Sequence, residues 1–232
     1  MQTDLAEGIL TARAARRPVA LLTWLATGEQ RLVTPEDAGE FPALAAEIAD
    51  GFRLDRSGTV ASPDGEVFIR IFNPPLRLII IGAVHAAQFL LPLGRMLGHD
   101  VTIVDPRTAF ASEQRFPDAN LVTEWPEDAL AQIGIDRRTA IVALTHDPKI
   151  DDGALRLALE SKAFYVGALG SSRTHAKRAE RLAAMGVSAD ALARIHAPIG
   201  LDIGAQGPAE IALSVMAQLV AVLREKGLGP KG

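Results

Sequence analysis

Cysteine is absent from the 232 residues. That absence excludes disulfides, thiolate zinc sites, iron–sulfur ligation and a cysteine nucleophile. Aromatic residues are scarce at 5%, and the single tyrosine, Tyr165, lies inside a strand-like run. A catalytic Tyr-Lys or His-Asp arrangement is therefore not evident. Neither a G-x-S-x-G nucleophile elbow nor a Ser-His-Asp order occurs. Positive charge is not in excess, since 24 Lys and Arg face 28 Asp and Glu for a net charge of -4. Such a balance offers no long-range attraction for a polyanion, so nucleic acid is not an expected partner. An uninterrupted apolar run is missing too: between Leu78 and Leu97 stand Gly82, His85, Gln88, Pro92, Gly94 and Arg95. No membrane span is expected there. The opening stretch MQTDLAEGILTARAARRP carries acids and no apolar core, so a secretory leader is not expected and the cytoplasm is the default compartment.

What is present has an ordinary globular balance, with 48% hydrophobic and 22% charged residues, enough for one domain plus a smaller one. Spacing predicts a short helix from Leu5 to Arg16, stopped by Pro18, then strands Val19 to Leu25 and Arg31 to Thr34 around a Thr27-Gly28-Glu29 turn. The stretch FPALAAEIADG reads as a helix closed by Gly51 as its C-terminal cap, and EVFIRIF as a strand with Val67, Ile69 and Ile71 on one face. Asn73-Pro74-Pro75 can continue neither element. Two domains are expected, a small α+β unit over 1–75 and a larger one over 76–232.

In the larger unit strands alternate with helices, the pattern of a doubly wound α/β fold with a parallel sheet. RLIIIG, DVTIVD, AIVALTHD and AFYVGALG read as buried strands, with helices from His85 to Leu97, Glu127 to Ile133, Asp151 to Glu160, Thr174 to Met185 and Pro208 to Lys226. Ligands of such sheets bind beyond the carboxyl ends of the strands. Gly82 can form the tight first turn of a dinucleotide fingerprint and Ala87 can allow close helix packing. Val84 stands where the second glycine would admit pyrophosphate, while Asp105 lies where an acid about 20 residues on would hold a ribose hydroxyl. The fold signal is thus kept and the nucleotide signal weakened.

Other strand ends carry chemistry. Gly170, Ser171 and Arg173 open a helix, where free N–H groups, the helix dipole and a guanidinium can receive an anion; Ser171 as a plain helix cap is the equal alternative. His146 and Asp147 follow another strand, and the Asp151-Asp152 pair fits a helix cap. No second histidine stands at ligand spacing, so a metal is not expected. Asp202, Gly204 and Glu210 complete the rim if the final helix folds back over the crevice. Ile211, Val215, Leu219 and Val222 line one side of that helix, to face a core or a second subunit.

THDPKID, YVGALGSSRTHAKRAERLAAMGV and RIHAPIGLDIGAQGPAEIALSVMAQLVA together resemble the XdhC/CoxI family of xanthine dehydrogenase accessory proteins. Gly82, Ala83 and His85 match the family's G-A-G-H turn, Asp105 and Arg107 its D-x-R, and Gln114 to Ala119 its ERFPDA. Residues 1–75 lack that family's glycine-rich motifs, which marks a divergent or shortened first domain. The resemblance implies a Rossmann-like sheet and a chaperone that binds molybdenum cofactor (molybdopterin) as a transient ligand. Implied partners are a cysteine desulfurase and an apo molybdenum hydroxylase subunit, with a homodimer as the default assembly. Two alternatives stay open: an NAD(P)-dependent oxidoreductase, and a docking scaffold without cofactor binding.

Overall fold

A computed structural model describes residues 3–224. The chain divides between Pro74 and Pro75 into two compact units.

In the first unit, helix α1 (Thr3–Ala14) precedes antiparallel strands β1 (Val19–Trp24) and β2 (Gln30–Val33). A 3-10 turn (Glu36–Glu40) and helix α2 (Ala45–Leu54) follow, then strands β3 (Gly58–Ser62) and β4 (Gly65–Phe72). The sheet order is β2-β1-β4-β3. Period-2 alternation sends Ala20, Leu22, Val67 and Ile69 to one face, where Leu44 and Ile48 close a small core. The structure corrects the reading of Gly51. It lies inside α2, where a Cβ would come within 2.9 Å of Ile71 Cδ1. The cap is Asp55, in the left-handed region at φ 53°, whose N–H donates to the Gly51 carbonyl. Strand β3 went unpredicted because its residues are mostly exposed and show no apolar alternation.

The second unit is built on β5 (Arg77–Ile81), α3 (His85–Met96), β6 (Asp100–Val104), β7 (Asn120–Val122), α4 (Pro126–Ile133), β8 (Thr139–Ala143), α5 (Pro148–Glu160), β9 (Tyr165–Ala168), α6 (Ser172–Ala184), α7 (Ala189–Leu192), β10 (Ile195–His196) and α8 (Pro208–Leu223). The strands form one parallel six-stranded sheet in the order β10-β9-β8-β5-β6-β7. Such an order reverses between β5 and β8, the switch point at which Rossmann-type folds open a crevice. Leu78 and Ile80 pack with α3 and α8 on one face, Ile79 and Ile81 with α4 and α5 on the other. On α8, Val215 and Leu219 are wholly buried in that first core. The predicted end of this helix at Lys226 lies outside the described residues.

One helix start also needs correction. Helix α5 begins at Pro148 and its cap is Asp147, which accepts from the Lys149 N–H at 3.0 Å. Asp151 and Asp152 are buried in its first turns instead of capping it. Between β6 and β7 no helix forms: residues 106–119 run as successive turns that bury Ala111 and Phe116 beside α3. Among the described residues no helix is long and apolar enough to cross a membrane.

At the switch point the two central loops touch. Gly82 adopts φ +109°, and a Cβ there would lie 2.5 Å from Thr145 Cγ2. Both the backbone conformation and the space require glycine. We expect Gly82→Ala to lower unfolding free energy by about 1–3 kcal/mol. Urea denaturation should show part of that loss recovered when Thr145→Ser removes the opposing methyl, the φ strain remaining.

Candidate functional site

Two clusters stand at the carboxyl ends of the central strands. The first surrounds the turn after β5. Asp105 is fully buried. Its Oδ1 accepts from Arg107 N at 3.0 Å and Arg107 Nε at 2.9 Å, and its Oδ2 accepts from Ala83 N and Arg107 Nη2, both at 2.8 Å. Burial pushes this carboxyl up, but the Arg107 side chain and the Arg107 and Ala83 N–H groups together outweigh it and hold it below its ordinary value. The Arg107 guanidinium also stacks on the exposed Phe110 ring, 4.4 Å from its centroid. Arg115 Nη1 donates to the carbonyls of Ala83 and Phe110, each at 2.8 Å, and so clamps the turn from outside. His85 is exposed at the start of α3 and packs its ring against Phe89. Val84, extended at φ -84°, precedes that helix without a side-chain cap.

The second cluster lies between α5 and α6. A pocket of about 210 Å³ is lined by His146, Pro148, Asp151, Arg173, Thr174, Lys177, Arg178 and Arg181. Thr145 Oγ1 donates to Asp151 Oδ1 at 2.6 Å and accepts from the Asp147 N–H, while the His146 N–H donates to Asp151 Oδ2 at 3.0 Å. Burial dominates at Asp151 and raises its pKa against the opposing Thr145, Arg178 and His146 contributions. His146 itself is exposed, in a left-handed conformation at φ 64° that few side chains adopt. Arg178 is 1% exposed and donates from Nη2 to the Leu169 carbonyl at 2.9 Å. Arg181 is taken up by a bidentate pair with Asp152.

The predicted residues therefore separate. His146 and Arg173 line the pocket, and Gly170, at φ +138°, shapes its edge against Thr174. Ser171 is the cap of α6, its Oγ accepting from the Thr174 N–H, so the plain capping alternative holds for that side chain. Asp202 and Gly204 are exposed in the loop before α8, and Glu210 accepts from Gln206 N and Gly207 N at the start of that helix; none of these lines the pocket. Residue-level reasoning missed Thr145, Arg115, Lys177 and Arg178. A signal for part of this existed: Arg173, Lys177 and Arg181 stand four apart, a basic stripe on one helical face.

The sheet order and the crevice-edge clusters define the class, a doubly wound α/β domain of the dinucleotide-fold type. Residues 78–219 match the XdhC Rossmann domain, and the chain belongs to that family. It is 35% identical over 151 residues to the "Molybdenum cofactor insertion chaperone PaoD" of Escherichia coli (strain K12), covering 65% of this chain and 41% of that protein. It is 33% identical over 155 residues to a probable xanthine dehydrogenase subunit of Bacillus subtilis (strain 168), covering 66% and 45%. The chain thus spans less than half the length of either relative. Among solved structures, a xanthine dehydrogenase from Bacillus halodurans shares the fold, with a TM-score of 0.70 at 24% identity over 98% of this chain and 66% of that one.

The first cluster makes a pH prediction. A carboxylate whose folded pKa lies below its ordinary value contributes stability above that value and loses it as pH falls through the folded pKa. Asp105, with an ordinary value of 3.8, is in this class. Asp105→Asn is expected to cost about 1–3 kcal/mol at neutral pH, because Arg107 and two N–H donors lose a charged acceptor. Urea titrations of both proteins should converge once the pH drops well below 3.8.

Proposed function

We propose that this protein is an accessory maturation factor that binds molybdenum cofactor and assists its sulfuration and insertion into a xanthine dehydrogenase-type molybdenum hydroxylase. The observation that carries this reading over the oxidoreductase alternative is the state of Asp105. In a dinucleotide enzyme the corresponding acid is open to the ribose hydroxyls. Here both oxygens already accept two hydrogen bonds each from the chain itself. Val84 adds a branched side chain where pyrophosphate would approach the backbone. Family membership and the similarity to a protein named a molybdenum cofactor insertion chaperone support the cofactor.

The residues suit one end of that ligand. A pterin bearing a terminal phosphate calls for cationic donors, and the pocket supplies Arg173, Lys177 and the buried Arg178. When bound, molybdenum cofactor supplies the metal centre on which oxo and sulfido ligands are exchanged. The chain's own residues hold and shield it. In this reading His85, His146, Gly170 and Arg173 face the ligand. Gly82, Asp105, Arg107, Asp147 and Ser171 fix the loops that present them, and Asp202, Gly204 and Glu210 form an outer rim. The partners are a cysteine desulfurase and an apo molybdenum hydroxylase subunit, with a homodimer as the assembly and the cytoplasm as the compartment.

Thermal unfolding with molybdenum cofactor released from a donor enzyme, beside NAD and NADP, tests the reading. A ligand selective for the folded state stabilises it by about 2.7 kcal/mol at a hundredfold excess over its dissociation constant. The expected result is a shift with the pterin cofactor and none with either dinucleotide; a shift with NAD alone establishes the oxidoreductase, and no shift at all the docking scaffold. Arg173→Ala should weaken the cofactor-induced shift while changing apo stability by less than about 0.5 kcal/mol, since its side chain is exposed. A large loss of apo stability would make Arg173 a structural residue.

A further inference from the structure

A guanidinium carries five N–H donors and no means of losing its charge in a protein. Arg178 is enclosed, yet among the described residues only Nη2 is engaged, with the Leu169 carbonyl and, more distantly, with Asp151 Oδ2 at 3.9 Å. Among the described residues its Nε and Nη1 have no hydrogen-bond partner. Buried donors of a cation left unpaired are costly. Asp151 does not repair the deficit, because its Oδ2 stands 3.9 Å from Nη2, beyond hydrogen-bond reach, and burial disfavours its charge. Close by, Arg173 and Lys177 are exposed, and neither has an ion-pair partner among the described residues. Both line the same pocket as Arg178, on the first two turns of α6, where the helix dipole adds to the positive potential. By contrast, Arg181 is neutralised by Asp152. The pocket thus combines an unsatisfied buried cation with two free cations at its mouth, a surplus of positive charge that a singly charged carboxylate leaves only partly balanced.

We propose that this pocket is a subsite for a phosphate monoester dianion, with Arg178 as its buried anchor and Arg173 and Lys177 at its mouth. The incoming anion draws the Arg178 guanidinium toward the pocket, exchanging its long approach to Asp151 for direct charge-assisted hydrogen bonds. Thr174 and His146 border the same space and add a hydroxyl and an imidazole to the wall. The site rests on the function proposed above only for the molecule that bears the phosphate, the pterin's terminal group; recognition of the oxyanion follows from the residues alone.

Isothermal titration of the whole protein with inorganic phosphate at low chloride tests it. One saturable site is expected. Lys177→Met should weaken phosphate at least about tenfold, whereas Lys162→Met, an equal change in net charge away from the pocket, should leave it unchanged. Arg178→Gln should abolish binding; Lys177→Met keeps the test decisive if the buried change prevents folding. Absence of saturable binding, or equal weakening by both lysine variants, overturns the subsite. Thermal shifts with molybdenum cofactor separate the two ideas. Phosphate binding lost in Lys177→Met with no cofactor shift in the unaltered protein retains the subsite and rejects the pterin. A cofactor shift without phosphate binding does the reverse. Competition of phosphate against the cofactor shift assigns the site to the pterin's terminal phosphate, and independence of the two assigns it to free phosphate.

Discussion

The contact between Gly82 and Thr145 is the constraint on which the site depends. At a switch in strand order two chains leave neighbouring strands and diverge to opposite faces of the sheet. Here Gly82 N–H still bonds toward β6 through the Val104 carbonyl, while the Leu144 N–H bonds back to the Ile81 carbonyl of β5. Only a residue without a Cβ lets the loops part at that distance. Thr145 then uses its methyl against Gly82 and its hydroxyl for Asp151 and Asp147. One side chain therefore couples the turn before α3 to the start of α5, and through Asp151 to the wall of the α5–α6 pocket.

Charge is distributed unevenly along this edge. Around the first turn it is closed: Asp105 and Arg107 neutralise one another, and each remaining lone pair on Asp105 has a donor. Between α5 and α6 it is open, with Arg178 under-satisfied and two cations at the mouth. Since a buried pair with complete hydrogen bonding resists rearrangement while an incomplete one invites a partner, the two halves of the crevice have different capacities. The first holds backbone, and the second has capacity left for a ligand.

The sheet was legible because buried parallel strands read as dense β-branched runs, and IIIG, VTIV and AIVA need no knowledge of their neighbours. Edge strands were less so. β7 and β10 span only three and two residues and exist because a paired strand beside them supplies hydrogen bonds. Asp151 read as a cap, since its burial depends on Thr145 and Arg178, which come from other elements. Of the candidate residues read from strand ends and a helix start, His146 and Arg173 line the α5–α6 pocket and Gly170 lies against Thr174 at its edge. Arg178 was not among those candidates, because an arginine in the middle of a charged helix looks solvated until α5 and the Leu169 carbonyl are placed over it. Glu210 was assigned to the rim, and its two hydrogen bonds to Gln206 and Gly207 are local capping geometry.

The segment 106–119 replaces a helix with turns, and its hold on the domain is concentrated in few places. Arg107 pairs with Asp105, Arg115 ties it to the Ala83 carbonyl and closes on its own Phe110 carbonyl, Gln88 reaches back to the Arg115 carbonyl, Arg95 donates to the Asp118 carbonyl, and Phe116 plugs the core. A helix distributes its cohesion over every residue of its own ladder; this strap does not. It and the three-residue edge strand it feeds therefore form a unit whose local opening requires only a few contacts to break. Each such opening also releases Arg115 from the Ala83 carbonyl, so amide exchange along the strap and freedom of the glycine turn rise and fall together.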